Sequence, residues 1–212
     1  MNRLRLTKLA LFLAALIPLA RLVWKYFHDA LGANPIEVIT HSTGDWTLRF
    51  ILITLSITPL RRITRQYWLI GVRRMIGLFA FFYGTLHFLT YIWLDKFFDV
   101  HEMLKDVAKR RFITVGFSAF VLLIPLAVTS TQGWIRRLGG KNWQRLHRLI
   151  YLTGILAVVH YAWLVKADLR KPIEYAVVLA ILLAYRVGIW LSAKASAQRQ
   201  QPAIPAPTRS RT

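Results

Sequence analysis

The sequence predicts an all-α, polytopic membrane protein with six transmembrane helices and cytoplasmic N- and C-termini. Three observations carry this. The 212 residues are 56% apolar, with a mean hydropathy of +0.42, whereas an ordinary soluble domain is roughly 45–50% apolar. The apolar residues fall in blocks of roughly 16 to 20, the length that crosses a hydrocarbon core about 30 Å thick. The charges are sorted along the chain in the pattern that orients membrane helices.

The first span, Leu9–Tyr26, follows a basic start (Arg3, Arg5, Lys8). It resembles a signal peptide, but no clear small-x-small cleavage site precedes a soluble domain and more spans follow, so it reads as a retained helix. An outer loop, Asp29–Asp45, carries Gly and Pro turn signals. The second span, Trp46–Leu60, leads into a basic and aromatic inner loop, Arg61–Arg74 (RRITRQYWLIGVRR). The third span is Met75–Leu94. The outer loop Asp95–Arg111 has mixed charge and suits a short interfacial helix. The fourth span, Phe112–Ser130, is followed by an inner loop, Thr131–Arg148, with a turn expected at Gly139-Gly140. Leu149–Val165 and Ile173–Leu191 complete the set; the second and fifth spans are short or broken by polar residues. Residues 1–192 therefore read as one membrane domain, and 193–212, with Pro202, Pro205 and Pro207, as a polar, disordered cytoplasmic tail. Long unbroken apolar runs point to helices, since barrel strands alternate apolar and polar residues.

The net charge of +20 raises the question of nucleic acid, and its distribution answers it. With the N-terminus inside, the inner segments hold Arg61, Arg62, Arg65, Arg73 and Arg74, then Arg136, Arg137, Lys141, Arg145 and Arg148, then Lys194, Arg199, Arg209 and Arg211, and no acid. All nine acids lie on the other side or at outer span ends. This is the positive-inside pattern, not a nucleic-acid face. Cysteine is absent, which excludes disulfides, zinc-thiolate sites and iron–sulfur clusters.

Six histidines remain: His28, His41, His87, His101, His147 and His160. His28 and His101 fall in loops or interfaces. His87 and His160 lie inside apolar spans, seven and five residues from their outer ends, or about 10 and 8 Å deep at 1.5 Å per residue. Ionisable groups at such depth mark functional sites by default. Two imidazoles at matched depth on different helices suit a haem clamped between them; the plain alternative is that each hydrogen-bonds a neighbouring helix. His147 lies about 20 Å below His160 along the axis, which suggests a second redox centre near the cytoplasmic face. In a straight helix the two rings would point about 140° apart; Gly154 lies between them as a place for a bend.

These residues resemble the ferric-reductase-like transmembrane domain shared with NADPH oxidases. The pieces HSTG (41–44), ITPL (57–60), RRMIGL (73–78), TLHFLTY (85–91), TSTQ (129–132), LGGKNWQRLH (138–147) and HYAW (160–163) are similar, in order and spacing, to the MsrQ (formerly YedZ) family, over roughly Leu9–Leu191. The resemblance implies a membrane subunit that binds haem b, with FMN as a further cofactor. It implies electrons taken from the quinol pool or a cytosolic flavin reductase, across the bacterial inner membrane. The acceptor it implies is a periplasmic molybdopterin methionine sulfoxide reductase that repairs oxidised proteins. His87 and His160 become the expected axial ligands. NADPH-oxidase-like domains carry a second histidine fourteen residues before the position of His87; here that residue is Arg73, and guanidinium does not ordinarily ligate iron.

The inner site of His147, Arg73 and Arg74 therefore holds either a haem or a flavin. The two arginines suit an FMN phosphate or haem propionates, or serve as positive-inside anchors. Arg49 either pairs with a propionate of the outer haem or snorkels to the headgroups. His41, read as a loop residue just before the second helix, either contacts the partner or caps that helix. The chain has no Gly-rich dinucleotide fingerprint and no catalytic pair able to act alone, so donor and terminal catalyst are separate molecules. Two other functions compete: a self-sufficient outer-face ferric or cupric reductase, and a histidine-lined proton channel or transporter.

Overall fold

The computed structural model describes residues 3–165 and 168–199. Among these residues there is helix and turn but no strand. In chain order the helices are α1 (Arg3–Phe27), α2 (Pro35–Thr64), α3 (Trp68–Leu89), α4 (Val100–Lys109), α5 (Arg111–Val128), α6 (Gln132–His147), α7 (Leu149–Leu164) and α8 (Arg170–Arg199). A π-helical turn, Thr90–Asp95, extends α3.

Four segments are long and apolar enough to cross a membrane: Leu4–Phe27, Trp68–Asp95, Arg111–Val128 and Arg170–Ser196. The second and fifth expected spans, α2 and α7, fall short of that measure. Helix α7 has 16 residues, about 24 Å of rise, and α2 carries Asp45 and Arg49 in its middle third. Both are inner helices, α2 packing chiefly on α3 and α7 on α5, with contacts also to each other and to α8. A helix shielded by its neighbours tolerates polar residues that a lipid-facing one does not. Large apolar side chains on the lipid-facing helices stand exposed, among them Leu13, Ile17, Val177, Ile181 and Leu191. This chain is a multi-pass membrane protein, because such surface is stable only against hydrocarbon.

Local chemistry sets the helix ends. Helix α2 starts eleven residues before the expected span because Asn34 caps it, accepting Glu37 N–H at 3.3 Å while its amide donates to the Glu37 carboxylate at 2.9 Å. Pro35 follows at the first turn, where its missing N–H costs nothing. The expected outer loop is thus mostly helix. Arg65, in the left-handed region at φ 57°, ends α2, so the expected inner loop shrinks to residues 65–67. The expected interfacial helix forms as α4, capped by Asp99. The Gly139 turn is also present, at φ 72°, inside α6. Helix α8 continues through Arg199, past the expected start of the tail; residues 200–212 lie outside the described residues.

The core lies where α2 and α3 meet, around Leu48, Ile51, Leu55, Val72 and Tyr83. Pro18 interrupts α1, and the next rung is bridged by a side chain from α3. The fully buried Tyr83 hydroxyl accepts the Leu19 N–H at 3.2 Å and donates to the Ala15 carbonyl at 2.8 Å. These are the two backbone groups of one i→i+4 rung. At the other face of the bundle, the loop before α4 is tied down by the buried Asp106, which accepts from Lys96 Nζ at 2.6 Å and Arg110 Nε at 3.2 Å. Burial alone would raise this carboxyl; the Lys96 hydrogen bond and the Arg110 and Lys96 charges outweigh it and hold it below its ordinary value.

Tyr83→Phe removes a hydroxyl serving two buried backbone groups and should cost about 1–3 kcal/mol, seen as a lower Tm in detergent; an unchanged Tm would mean the rung closes on itself. A depressed carboxyl contributes stability that is complete above its unfolded value, about 3.9, and is lost as pH falls through the lower folded value. The stability gap between the parent and Asp106→Asn should therefore hold from pH 7 to 5 and narrow progressively below about pH 4. A gap that does not narrow below about pH 4 would refute the ion-pair origin.

Candidate functional site

The structure brings His87 of α3 and His160 of α7 together, with ring centroids 6.1 Å apart and planes at 75°. The His87 Nδ1 lies 2.9 Å from the Thr40 carbonyl oxygen and the His160 Nδ1 lies 2.7 Å from the Phe112 carbonyl oxygen. A carbonyl only accepts, so each Nδ1 must carry the proton and donate it. Each Nε2 then keeps its lone pair, the state in which imidazole binds a metal. Helix α2 supplies the Thr40 carbonyl and α5 the Phe112 carbonyl, so four helices fix the pair. Phe112 also places its ring 6.2 Å from His160.

A metal with imidazole nitrogens about 2 Å away on either side would set the ring centres roughly 6 Å apart. The observed separation fits one metal atom between them. Among the described residues no three His, Cys, Asp or Glu side chains converge on a point. Two imidazoles alone suit a metal that brings its remaining ligands with it, as the iron of a porphyrin does.

His147 lies at the other end of the bundle, as the last residue of α6. The helix breaks at Arg148, so His147 and His160 stand on different helices and need no bend at Gly154, which is buried against Leu179. Its ring stacks on Trp143 at 3.9 Å, and Trp143 Nε1 donates to the Thr129 carbonyl at 2.8 Å. Thr129 gives its one hydroxyl proton to the Pro125 carbonyl at 2.6 Å, so the His147 Nε2–H must donate to the Thr129 oxygen at 3.1 Å. His147 is thereby the opposite tautomer to His87 and His160. Burial, and then the Arg73 guanidinium, hold its pKa below the ordinary imidazole value, which keeps the ring neutral at pH 7.

Arg73 is half-buried and within electrostatic reach of His147, Arg61 and Arg186, whereas Arg74 is exposed. Sequence reasoning missed Arg186 of α8. It donates to the Leu55 carbonyl at 2.7 Å and the Tyr151 hydroxyl at 3.0 Å, and its buried Nε has no partner among the described residues. Arg49 does not snorkel free. It donates to the Tyr175 hydroxyl at 2.9 Å, pairs with Asp45 at 3.8 Å and covers the Trp46 ring at 4.8 Å. His41 is not a loop residue but lies exposed in the second turn of α2, because the Asn34 cap starts the helix early. The carbonyl partners of His87 and His160 also escaped the sequence, since any backbone carbonyl reads alike there.

Comparisons with known proteins assign the chain to a family. Residues 43–158 match the family described as "Ferric reductase like transmembrane component", a stretch that runs from within α2 to within α7 and ends two residues before His160. A protein of Herminiimonas arsenicoxydans named "Protein-methionine-sulfoxide reductase heme-binding subunit MsrQ" is 60% identical over 187 residues, covering 87% of this chain and 86% of the relative. Proteins of the same name from Ralstonia nicotianae and Xanthomonas campestris pv. campestris are 53% and 50% identical, covering 92% and 95% of this chain and 91% and 95% of their own lengths. At that identity over nearly the whole length, the chain belongs to the MsrQ family of ferric-reductase-like membrane proteins.

Proposed function

We propose that this chain is the haem-binding membrane subunit of a periplasmic protein-methionine-sulfoxide reductase system. It carries electrons through haem b to a separate molybdopterin reductase that repairs oxidised methionine. The observation that carries this reading is the His87–His160 pair: two imidazoles from different helices with ring centres 6.1 Å apart, and both Nδ1 protons given to backbone carbonyls. The donors are quinol or a cytosolic flavin reductase. All six long helices span the bacterial inner membrane, α2 and α7 in the middle of the bundle, and both termini are cytoplasmic, as the basic inner loops favour. Residues 1–192 form the haem domain and 193–212 a cytoplasmic tail.

When bound, haem supplies a reversible one-electron couple. The chain's own residues do the rest. His87 and His160 would hold the iron through their Nε2 atoms, and the Thr40 and Phe112 carbonyls fix each ring's tautomer and angle and raise its basicity. The Phe112 ring keeps water from His160. At the inner end, Arg73 and Arg186 gather positive charge with His147 between the core and the loop. An anionic cofactor, haem or FMN, suits this charge. FMN suits it better, because Thr129 already takes the His147 Nε2 and leaves only Nδ1, the nitrogen beside the side chain's own Cβ, to face any iron.

Reduced-minus-oxidised spectra of the purified protein, with pyridine-haemochrome and flavin quantitation, test both sites. His87→Ala and His160→Ala should each abolish a low-spin b-type spectrum, whereas His147→Ala should retain it; folded protein without haem in the parent would favour a channel instead. Replacing Arg73 and Arg74 together by Leu should weaken flavin retention about 10- to 100-fold, since a charge-assisted hydrogen bond contributes roughly 1.5–3 kcal/mol, and leave the haem in place. A second haem in the parent, lost in His147→Ala, would assign the inner site to haem.

A further inference from the structure

Each histidine of the pair sits in the same small device, built twice from different helices. On α2 the carbonyl of Thr40 accepts the His87 Nδ1–H, and the residue four places on is Gly44. On α5 the carbonyl of Phe112 accepts the His160 Nδ1–H, and the residue four places on is Gly116. A Cβ at Gly44 would stand 3.1 Å from Nδ1 and Cε1 of His87; at Gly116 it would stand 2.5 Å from Nδ1 and 2.7 Å from Cε1 of His160.

The coincidence has a geometric cause. In an α-helix the carbonyl of residue i points at the N–H of residue i+4. Its second lone pair is open to another helix only past the side chain of residue i+4. A glycine there clears the path, so that an imidazole can press against the backbone and reach an oxygen already used by its own helix. Glycine in a helix interior otherwise destabilises it relative to alanine. Other helical glycines meet no histidine: a Cβ at Gly77 would meet only the Thr54 side chain, its methyl at 3.5 Å and its hydroxyl at 3.8 Å, and Gly188 has nothing within 4 Å.

We propose that Gly44 and Gly116 are positioning residues for the two axial histidines, each opening an i→i+4 backbone carbonyl to the ligand's Nδ1–H. This rests on the haem reading of the pair. The device sets the ring angle and, through the strength of the Nδ1–H bond, the basicity of the Nε2 that faces the iron. The two cradles are unequal. At Gly116 an added Cβ is closer than real contacts allow, so His160 must leave its carbonyl. At Gly44 the His87 ring need give by only a few tenths of an ångström.

The test uses the full chain in detergent, comparing Gly116→Ala, Gly44→Ala and the control Gly77→Ala by haem content, ferric-state EPR and midpoint potential. Gly116→Ala should lose most of its haem or turn high-spin. Gly44→Ala should stay low-spin with an altered EPR signature and a raised potential, because a weakened Nδ1–H bond makes His87 a poorer donor to ferric iron. Gly77→Ala should match the parent. Parent-like spectra and potentials in both cradle variants, while His87→Ala and His160→Ala lose the low-spin haem, would overturn the cradle and leave the clamp standing. Parent-like spectra in the two histidine variants would overturn the clamp itself. Should Gly116→Ala aggregate, Gly44→Ala decides alone: an unchanged potential and EPR signal overturn the proposal.

Discussion

In a helix surrounded by hydrocarbon, every backbone carbonyl is already bonded within its own helix, and there is no water to serve anything left over. Contacts between helices must then use the second lone pair of those same oxygens, or they must be made by apolar packing alone. This chain bonds side chains to the backbone carbonyls of other elements repeatedly, on the second lone pair within a helix or, at the rung Tyr83 bridges and at Thr129 past the end of α5, on an oxygen the helix leaves free. Tyr83 reaches Ala15, His87 reaches Thr40, His160 reaches Phe112, Arg186 reaches Leu55 and Trp143 reaches Thr129. Each bond ties two elements distant in sequence, so a handful of polar side chains fixes the relative rotation of the helices. Rotation is what apolar packing between lipid-like surfaces specifies least.

The same device serves structure at one end and chemistry at the other. Tyr83 sits across the rung next to Pro18 and makes a proline-bearing helix fit the core. His87 and His160 use the same kind of bond to commit one nitrogen and leave the other available. His147 inverts the arrangement, committing Nε2 to Thr129. Three histidines in one bundle thus present two tautomers, each chosen by a neighbouring oxygen rather than by pH. That choice separates a pair fitted to ligate from a ring fitted to hydrogen-bond.

Much of this was legible in the sequence, because depth in a membrane is a one-dimensional quantity. Apolar run length located the long helices, and counting residues from a span end placed His87 and His160 at one level. The charge-rich segment 95–111 read as a short helix for the same local reason. What hydropathy could not show is which way a side chain faces. The start of α2 was missed although Asn34, Pro35 and Glu37 form a capping pattern, because a polar stretch between spans reads as loop. The break at Arg148, the hidden Arg186 and the carbonyl partners at Thr40 and Phe112 depend on how helices are rotated against each other. Gly44 stood in a recognisable motif, yet its closeness to His87 exists only in three dimensions.

The π-helical turn at Thr90–Asp95 begins three residues after His87, where Lys96 N–H donates to the Tyr91 carbonyl, five residues back. Such a turn holds one residue more than an α-helix would place there. Losing one residue would leave a plain α-helix with everything beyond it still in register, whereas gaining one would exceed what the turn absorbs and swing everything beyond it by about 100°, while Gly44, Thr40 and His87 stayed where they are. A single-residue insertion in this stretch would therefore re-aim Lys96 and the α4 helix that carries Asp106 without disturbing the ligand. The length of the segment, more than its composition, sets which surface this end of the bundle shows to whatever docks there.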